Sequence, residues 1–231
     1  MKTIGLLGGM SWESTSSYYT LINQGVKARL GGLHCAKIFL HSVNFDDIEK
    51  LQHEGNWQET AKILTSAAKS IEQAGADFLM ICTNTMHKVA PDIERELSIP
   101  ILHIVDATAQ FLLRDNISKV GLLGTRFTME QDFYKGRITD KFAIDVVVPN
   151  KADQQIVHDV IYNELCQGTI NPQSKVKYIN IINALAREGA QAVILGCTEI
   201  ALLVQQCDTD IILYDTTQIH ATLGVELALA E

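Results

Sequence analysis

Two cysteines in matching settings, Cys82 and Cys197, are the residues of this chain best suited to chemistry. Cys82 follows the apolar run FLMI and precedes Thr-Asn-Thr; Cys197 follows VILG and precedes Thr-Glu-Ile. Each pattern places a thiol at the carboxyl end of a strand, before a turn and the start of a helix. A helix N-terminus favours negative charge, so such an edge can hold a carboxylate and stabilise a thiolate. An ordinary thiol pKa of ~8.5 lies near the working range for general acid–base catalysis. Two such groups facing one carbon can remove a proton from one face and deliver one to the other, which inverts a stereocentre. With each sulfur ~3–3.5 Å from that carbon, the sulfurs stand roughly 6–7 Å apart. That is too far for the ~2.05 Å bond of a disulfide, so both are expected as free thiols.

The other three cysteines, Cys35, Cys166 and Cys207, are read as small hydrophobes. Five cysteines with no C-x-x-C pair and no secretion signal argue against a disulfide framework and for a reducing cytoplasm. Cys and His are not clustered at zinc spacings, so no metal is expected. A net charge of −8 argues against a non-specific grip on nucleic acid. No run approaches the ~18–20 apolar residues of a membrane span. The opening MKTIGLLGGM breaks at Gly8-Gly9 without a cleavage site, so it reads as a first strand and its turn rather than a signal peptide. GLLGG lacks the G-x-G-x-x-G spacing, and no dinucleotide site is expected.

The elements that must position the thiols alternate regularly. Short apolar runs at 3–7, 36–41, 77–82, 99–104, 119–123, 144–148, 192–195 and 210–214 read as strands. Helix-like stretches at 14–29, 57–74, 105–114, 156–166, 173–188 and 218–229 lie between them. Within 57–74, apolar residues at 61, 63, 64, 67, 68, 71 and 74 follow helical periodicity. The chain also repeats itself: GLLGG at 5–9 returns as GLLGT at 121–125, GADFLMICTN at 75–84 as GAQAVILGCTE at 189–199, and PILHIVDATA at 100–109 is echoed by IILYDTTQIHA at 211–221. Three matches in the same order, half a chain apart, indicate an internal duplication. The expected architecture is α/β, with two similar Rossmann-like lobes, 1–115 and 116–231, built on mainly parallel sheets and facing each other across a cleft. The C-terminal helix is expected to be able to cross back to the first lobe.

The segments GLLGGMSWES (5–14), CTNTMH (82–87), LLGTRFTMEQDFY (122–134) and GCTE (196–199) resemble the Asp/Glu racemase superfamily. GGM and GCTE look like its aspartate-racemase branch, and the GGMSWEST opening is similar to that of bacterial broad-specificity amino-acid racemases. The resemblance implies racemisation without pyridoxal phosphate, Cys82 and Cys197 as the catalytic pair, and commonly a homodimer. It implies that Thr83, Asn84, Thr85 and Thr198 hold the substrate α-carboxylate. Met10, Gln52 and Thr125 match further pocket positions, with turn or helix-surface roles as the plain alternative. Two departures stand out: Ile48 and Cys166 occupy positions where strict aspartate racemases carry cations, which favours neutral polar or broader substrates. Arg126 and Lys135 are the cations that could replace them. His87 and His103 read as structural, Trp12 and Trp57 as packing residues, and Glu199 as a residue that tunes the Cys197 thiol or orients a substrate amine. Competing functions are a related isomerase acting on maleate or hydantoins, a single-cysteine decarboxylase, and a bilobal amino-acid binder without catalysis.

Overall fold

The computed structural model describes residues 1–230. The chain begins with β1 (Ile4–Gly8), α1 (Trp12–Leu30), β2 (Ile38–Ser42), α2 (Phe45–His53), α3 (Trp57–Ala74), β3 (Phe78–Ile81) and α4 (Ala90–Glu94). It continues with α5 (Ile104–Arg114), β4 (Lys119–Gly124), α6 (Arg126–Glu130), α7 (Asp132–Phe142), β5 (Asp145–Val147), α8 (Lys151–Asn163) and α9 (Pro172–Arg187). The last elements are β6 (Ala192–Gly196), α10 (Ile200–Leu203), β7 (Ile212–Asp215) and α11 (Thr216–Leu229).

Local sequence explains the sharpest boundaries. Asn56 caps α3 by accepting the Glu59 N–H, and Gly75 ends it in the left-handed conformation at φ +103°, which glycine adopts without strain. Between these caps Leu64, Ala67, Ala68 and Ile71 form one buried stripe. β1 and β6 are buried along their whole length, as strands covered on both faces are.

All strand pairings are parallel, in two sheets of order β2-β1-β3 and β5-β4-β6-β7. The strand expected at 99–104 is reduced to one parallel bridge, Leu79 to Ile101. There Leu79 N–H donates to the Pro100 carbonyl and Leu102 N–H to the Leu79 carbonyl, both at 2.9 Å, before Ile104 opens α5. Counting that bridge, the first sheet repeats the order of the second.

Two units emerge: Met1–Ile104 with the segment from His220 onward, and Val105–Ile219. The first boundary thus falls at 104/105 rather than 115/116. Asp106 of α5 receives Arg137 at 2.6 and 2.9 Å and Lys141 at 2.6 Å, and Asp115 receives the Tyr214 hydroxyl at 2.7 Å, which ties α5 to the second unit. The C-terminal segment joins the first unit because His220 bonds Tyr18 and Leu102, and because Ala221, Val225 and Ala228 pack with Ile4, Leu6, Tyr18 and Ile22. Helices α2, α4, α6, α7 and α10 lie outside the helical stretches read from the sequence. In α2 only Ile48 and Gln52 are buried, too short an apolar stripe to stand out in sequence.

Candidate active site

In the first unit β1 runs into a turn at Gly9, φ +90°, where a Cβ would collide with the Val43 backbone. The Gly9 N–H donates to Thr15 Oγ1 at 2.8 Å, and that hydroxyl donates to the Ser11 carbonyl at 2.8 Å. Ser11 caps α1, and Ser14 Oγ reaches across to donate to the Cys82 carbonyl at 2.8 Å. Cys82 N–H in turn donates to the Leu7 carbonyl at 2.9 Å. The Gly9–Thr15 loop therefore fastens the end of β1 to the end of β3. Ser14 was not singled out from sequence, since a serine one turn inside a helix carries no distinctive pattern. Met10 is buried in the apolar cluster of Leu7, Ile48, Leu79 and Ile81, and Gln52 is buried in α2.

Cys82 itself is fully buried. It packs with Leu6, Tyr18, Phe78 and Met80, and its Sγ is 3.9 Å from the Met80 carbonyl. Burial in this apolar setting pushes the thiol well above its ordinary range, because the thiolate would lose its hydration. Thr83 is partly exposed, whereas Asn84 and Thr85 are buried at the start of a 3-10 turn, Thr85–Val89. His87 Nε2 accepts the Ile104 N–H at 3.2 Å, so Nδ1 carries the proton and donates to the Thr83 carbonyl at 2.8 Å. Its ring lies 4.5 Å from that of His103 and 6.0 Å from that of His220. His220 donates from Nε2 to the Leu102 carbonyl and accepts from the Tyr18 hydroxyl. Burial lowers its pKa to about 4, so it is neutral near pH 7. His87 and His220 thus serve as positioning groups behind the strand end.

In the second unit Cys197 and Thr198 follow β6 and are both partly exposed. Their donors converge on one atom: Cys197 Sγ lies 3.0 Å and Thr198 Oγ1 2.6 Å from Glu199 Oε2. Glu199 is buried. Burial, then the Glu199 charge, then Cys166 push the Cys197 thiol well above its ordinary range. Thr125 caps α6, accepting the Thr128 N–H at 3.4 Å, directly after the β4 residue that pairs with Gly196. Thr216 Oγ1 donates to the Leu195 carbonyl at 2.9 Å, and Asp215 caps α11 through the Thr217 and Gln218 N–H groups. Cys166 lies in a 3-10 turn and packs on the same apolar cluster as Cys197. Arg126 is exposed and donates to Gln155 at 2.6 Å, and Lys135 stands 3.9 Å from Asp132. Ile48 is a core residue of the first unit. Among the described residues no group of three or more His, Cys, Asp or Glu side chains is arranged to hold a metal ion.

Sheet register relates the two strand ends differently from the motif match. Leu7 pairs with Ile81, and Leu123, its counterpart in the repeated GLLG, pairs with Leu195. Carried one residue on, Cys82 matches Gly196, and Thr83 matches Cys197. Exposure agrees, since Thr83 and Cys197 are partly exposed while Cys82 is sealed. The two Cys-Thr motifs, matched thiol to thiol, are therefore one position out of step with the sheet register.

The profile of the Asp/Glu/hydantoin racemase family matches residues 7–224. The chain is 53% identical, over the full length of both, to a protein from Yersinia pestis to which Asp/Glu racemase activity is attributed, and superposes on it with a TM-score of 0.94. An aspartate racemase homologue from Pyrococcus horikoshii OT3 is 35% identical over both full lengths, with a TM-score of 0.87. The broad-specificity amino-acid racemase RacX of Bacillus subtilis (strain 168) is 22% identical over 98% of each chain. This chain belongs to the Asp/Glu/hydantoin racemase family, on its aspartate-racemase side, and is an isomerase acting on amino acids.

Proposed function

We propose that the chain inverts Cα of free amino acids by proton transfer on both faces, Cys197 working one face and the Cys82–Thr83 strand end the other. The observation that supports this most directly is the equivalence of the two strand ends: in each, a parallel strand delivers a group able to exchange a proton, followed by hydroxyls and backbone N–H groups. In the reaction the Cα–H bond breaks toward one group, its electron pair is held in the carbanion conjugated with the α-carboxylate, and the other group delivers a proton to the opposite face. Asn84 and Thr85, with the backbone N–H groups of Thr83 and Thr198, are the groups we assign to the carboxylate, where hydrogen bonds strengthen as charge develops. Of the two residues at the first strand end, Cys82 has the thiol, and Thr83 has the position. On this reading the enzyme needs no pyridoxal phosphate, because acid and base on both faces replace the imine electron sink.

For substrate we propose neutral polar amino acids, such as homoserine, beside aspartate and glutamate. Burying an unpaired side-chain carboxylate is costly. Ile48 and Cys166 bring no charge, Arg126 donates to the neutral Gln155, and Lys135 stands 3.9 Å from Asp132. The test is incubation of extensively dialysed enzyme with single enantiomers in deuterated water. Inversion with deuterium at Cα is expected for several polar amino acids. No inversion of any amino acid, or inversion only after pyridoxal phosphate is added, would sink the proposal. Turnover of maleate or a hydantoin in place of amino acids would point to the rival isomerase chemistries.

A further inference from the structure

Cys197 and Glu199 form a hydrogen-bonded pair, sulfur to carboxylate, at the end of β6. Glu199 Oε2 lies 3.0 Å from Cys197 Sγ and 2.6 Å from Thr198 Oγ1, each placed to donate to it. The thiol, held well above its ordinary range by burial and by the Glu199 charge, is the proton-bearing partner of the pair. Hydrogen bonds to an ionised acceptor are the strong ones, and this one is in a buried setting where the carboxylate is within 5% of complete enclosure. We propose that Glu199 is the proton partner of Cys197: its carboxylate holds the thiol protonated and aimed between turnovers, and takes the thiol proton when Cys197 acts as base. This rests on the racemase reading of the site and names a positioning residue for it.

The step balances in both directions. When Cys197 removes the Cα proton, its own S–H proton passes to Glu199 Oε2, so an O–H forms there while the Cα–H becomes a new S–H. When substrate of the opposite hand follows such a turnover, with the proton still on Glu199 Oε2, Cys197 delivers its own proton to the carbanion and recovers the one held on Glu199. Between successive turnovers of the same hand, exchange with solvent water removes the Glu199 proton and restores the one lost on the opposite face. The arrangement also gives Thr198 a role, since its hydroxyl fixes the same carboxylate oxygen at 2.6 Å. The first strand end is built differently, with the Cys82 sulfur directed at a backbone carbonyl.

Other titratable groups act on the same thiol and must be controlled. Cys166 raises the Cys197 thiol further, and Tyr178, whose hydroxyl donates to the Val157 carbonyl at 2.9 Å, is coupled to Cys197, Glu164 and Cys166. Glu164 is itself held by the Ser174 hydroxyl at 2.9 Å.

The experiment is alkylation of the full chain by iodoacetamide across pH, read at the Cys197 peptide by mass spectrometry, alongside racemisation. Glu199→Gln removes the charge and keeps the shape. Removing the anion lowers the thiol pKa, so alkylation of Cys197 near pH 7 should rise about tenfold, one unit of pKa. Racemisation should fall at least a hundredfold in the same variant. A thiol that becomes more reactive while turnover collapses is not what a merely structural loss produces. Glu199→Asp, which keeps the charge, should alkylate within threefold of wild type, and it supplies the test where the Gln variant folds poorly. Unchanged or slower alkylation in Glu199→Gln, turnover within threefold of wild type, or identical alkylation in the Asp and Gln variants each overturns the pairing. Alkylation needs no substrate, so a failure of the racemase reading leaves this measurement standing on its own.

Discussion

The two strand ends look alike in sequence and are supported in opposite ways. At the end of β3 the thiol is turned inward, sealed by Leu6, Tyr18, Phe78 and Met80, with neutral histidines behind it. At the end of β6 the thiol is partly exposed and hydrogen-bonded to a carboxylate. The difference follows from one residue of register. Position 82 matches Gly196, and Gly196 stands so close to the β4 backbone and to Leu122 that even a Cβ there would meet the Leu123 carbonyl at 2.7 Å. Duplicated chemistry in sequence therefore does not imply duplicated placement: the sheet fixes which of two consecutive side chains points into the core.

The largest effects should test that asymmetry. Cys197→Ser should lower kcat/KM by at least about a thousandfold, or ~4 kcal/mol of transition-state stabilisation. Thr83→Val should cost roughly ten- to a hundredfold, within the range for one positioned acid–base or hydrogen-bonding group. Cys82→Ser should cost less than tenfold in turnover, and it should lower stability because it sets a hydroxyl in an apolar pocket. A loss in Cys82→Ser equal to that in Cys197→Ser would break the comparison. It would mean that the first strand end rearranges on binding substrate and turns Cys82 outward.

A smaller effect concerns substrate choice. With Ile48 and Cys166 bringing no charge, kcat/KM for aspartate and homoserine should lie within a hundredfold, ~2.7 kcal/mol. Side-by-side kinetics on both amino acids decides it. A larger preference for aspartate would require a cation at the site.

Most of the scaffold is legible in the sequence. Helix α3 begins and ends where its apolar period and Gly75 place it, and seven of the eight apolar runs form strands within two residues of their expected limits. The eighth, at 99–104, fails because the chain leaves the sheet at Leu102 and starts α5 at Ile104, leaving one bridge. Periodicity marks an apolar run and is blind to how long its hydrogen-bonding partner lasts. The site was less legible than the fold for a related reason. Adjacent residues Cys82 and Thr83 point to opposite sides of a strand end, and only the pairing of Leu7 with Ile81 says which. Glu199 drew notice beside Cys197, but that its oxygen collects both donors is a matter of side-chain geometry.

The last and mildest effect distinguishes the supports of the two ends by pH. His220 is buried and neutral, with both ring nitrogens used, and its pKa falls from 6.5 to about 4 on folding. Its folded pKa lies below its unfolded one, so the unfolded chain binds the proton more readily. Its contribution is fully present above pH 6.5 and is lost as pH falls from 6.5 toward 4. Across that window the loss is about 3 kcal/mol. Asp106, held down by Arg137 and Lys141, is also destabilised by acid, but only below its ordinary 3.8, so the two windows separate. His220→Gln removes the titration and can keep one hydrogen bond. Unfolding followed by denaturant at pH 7, 5.5 and 4.5 should show wild type losing stability over this range and the variant losing markedly less. Because His220 and Tyr18 pack behind β3, amide hydrogen exchange in β3 should report the acid-induced loosening first, while Cys197 stays no more reactive to iodoacetamide at pH 5 than at pH 7. Parallel pH slopes in the two proteins would show that the first strand end does not rest on a neutral histidine.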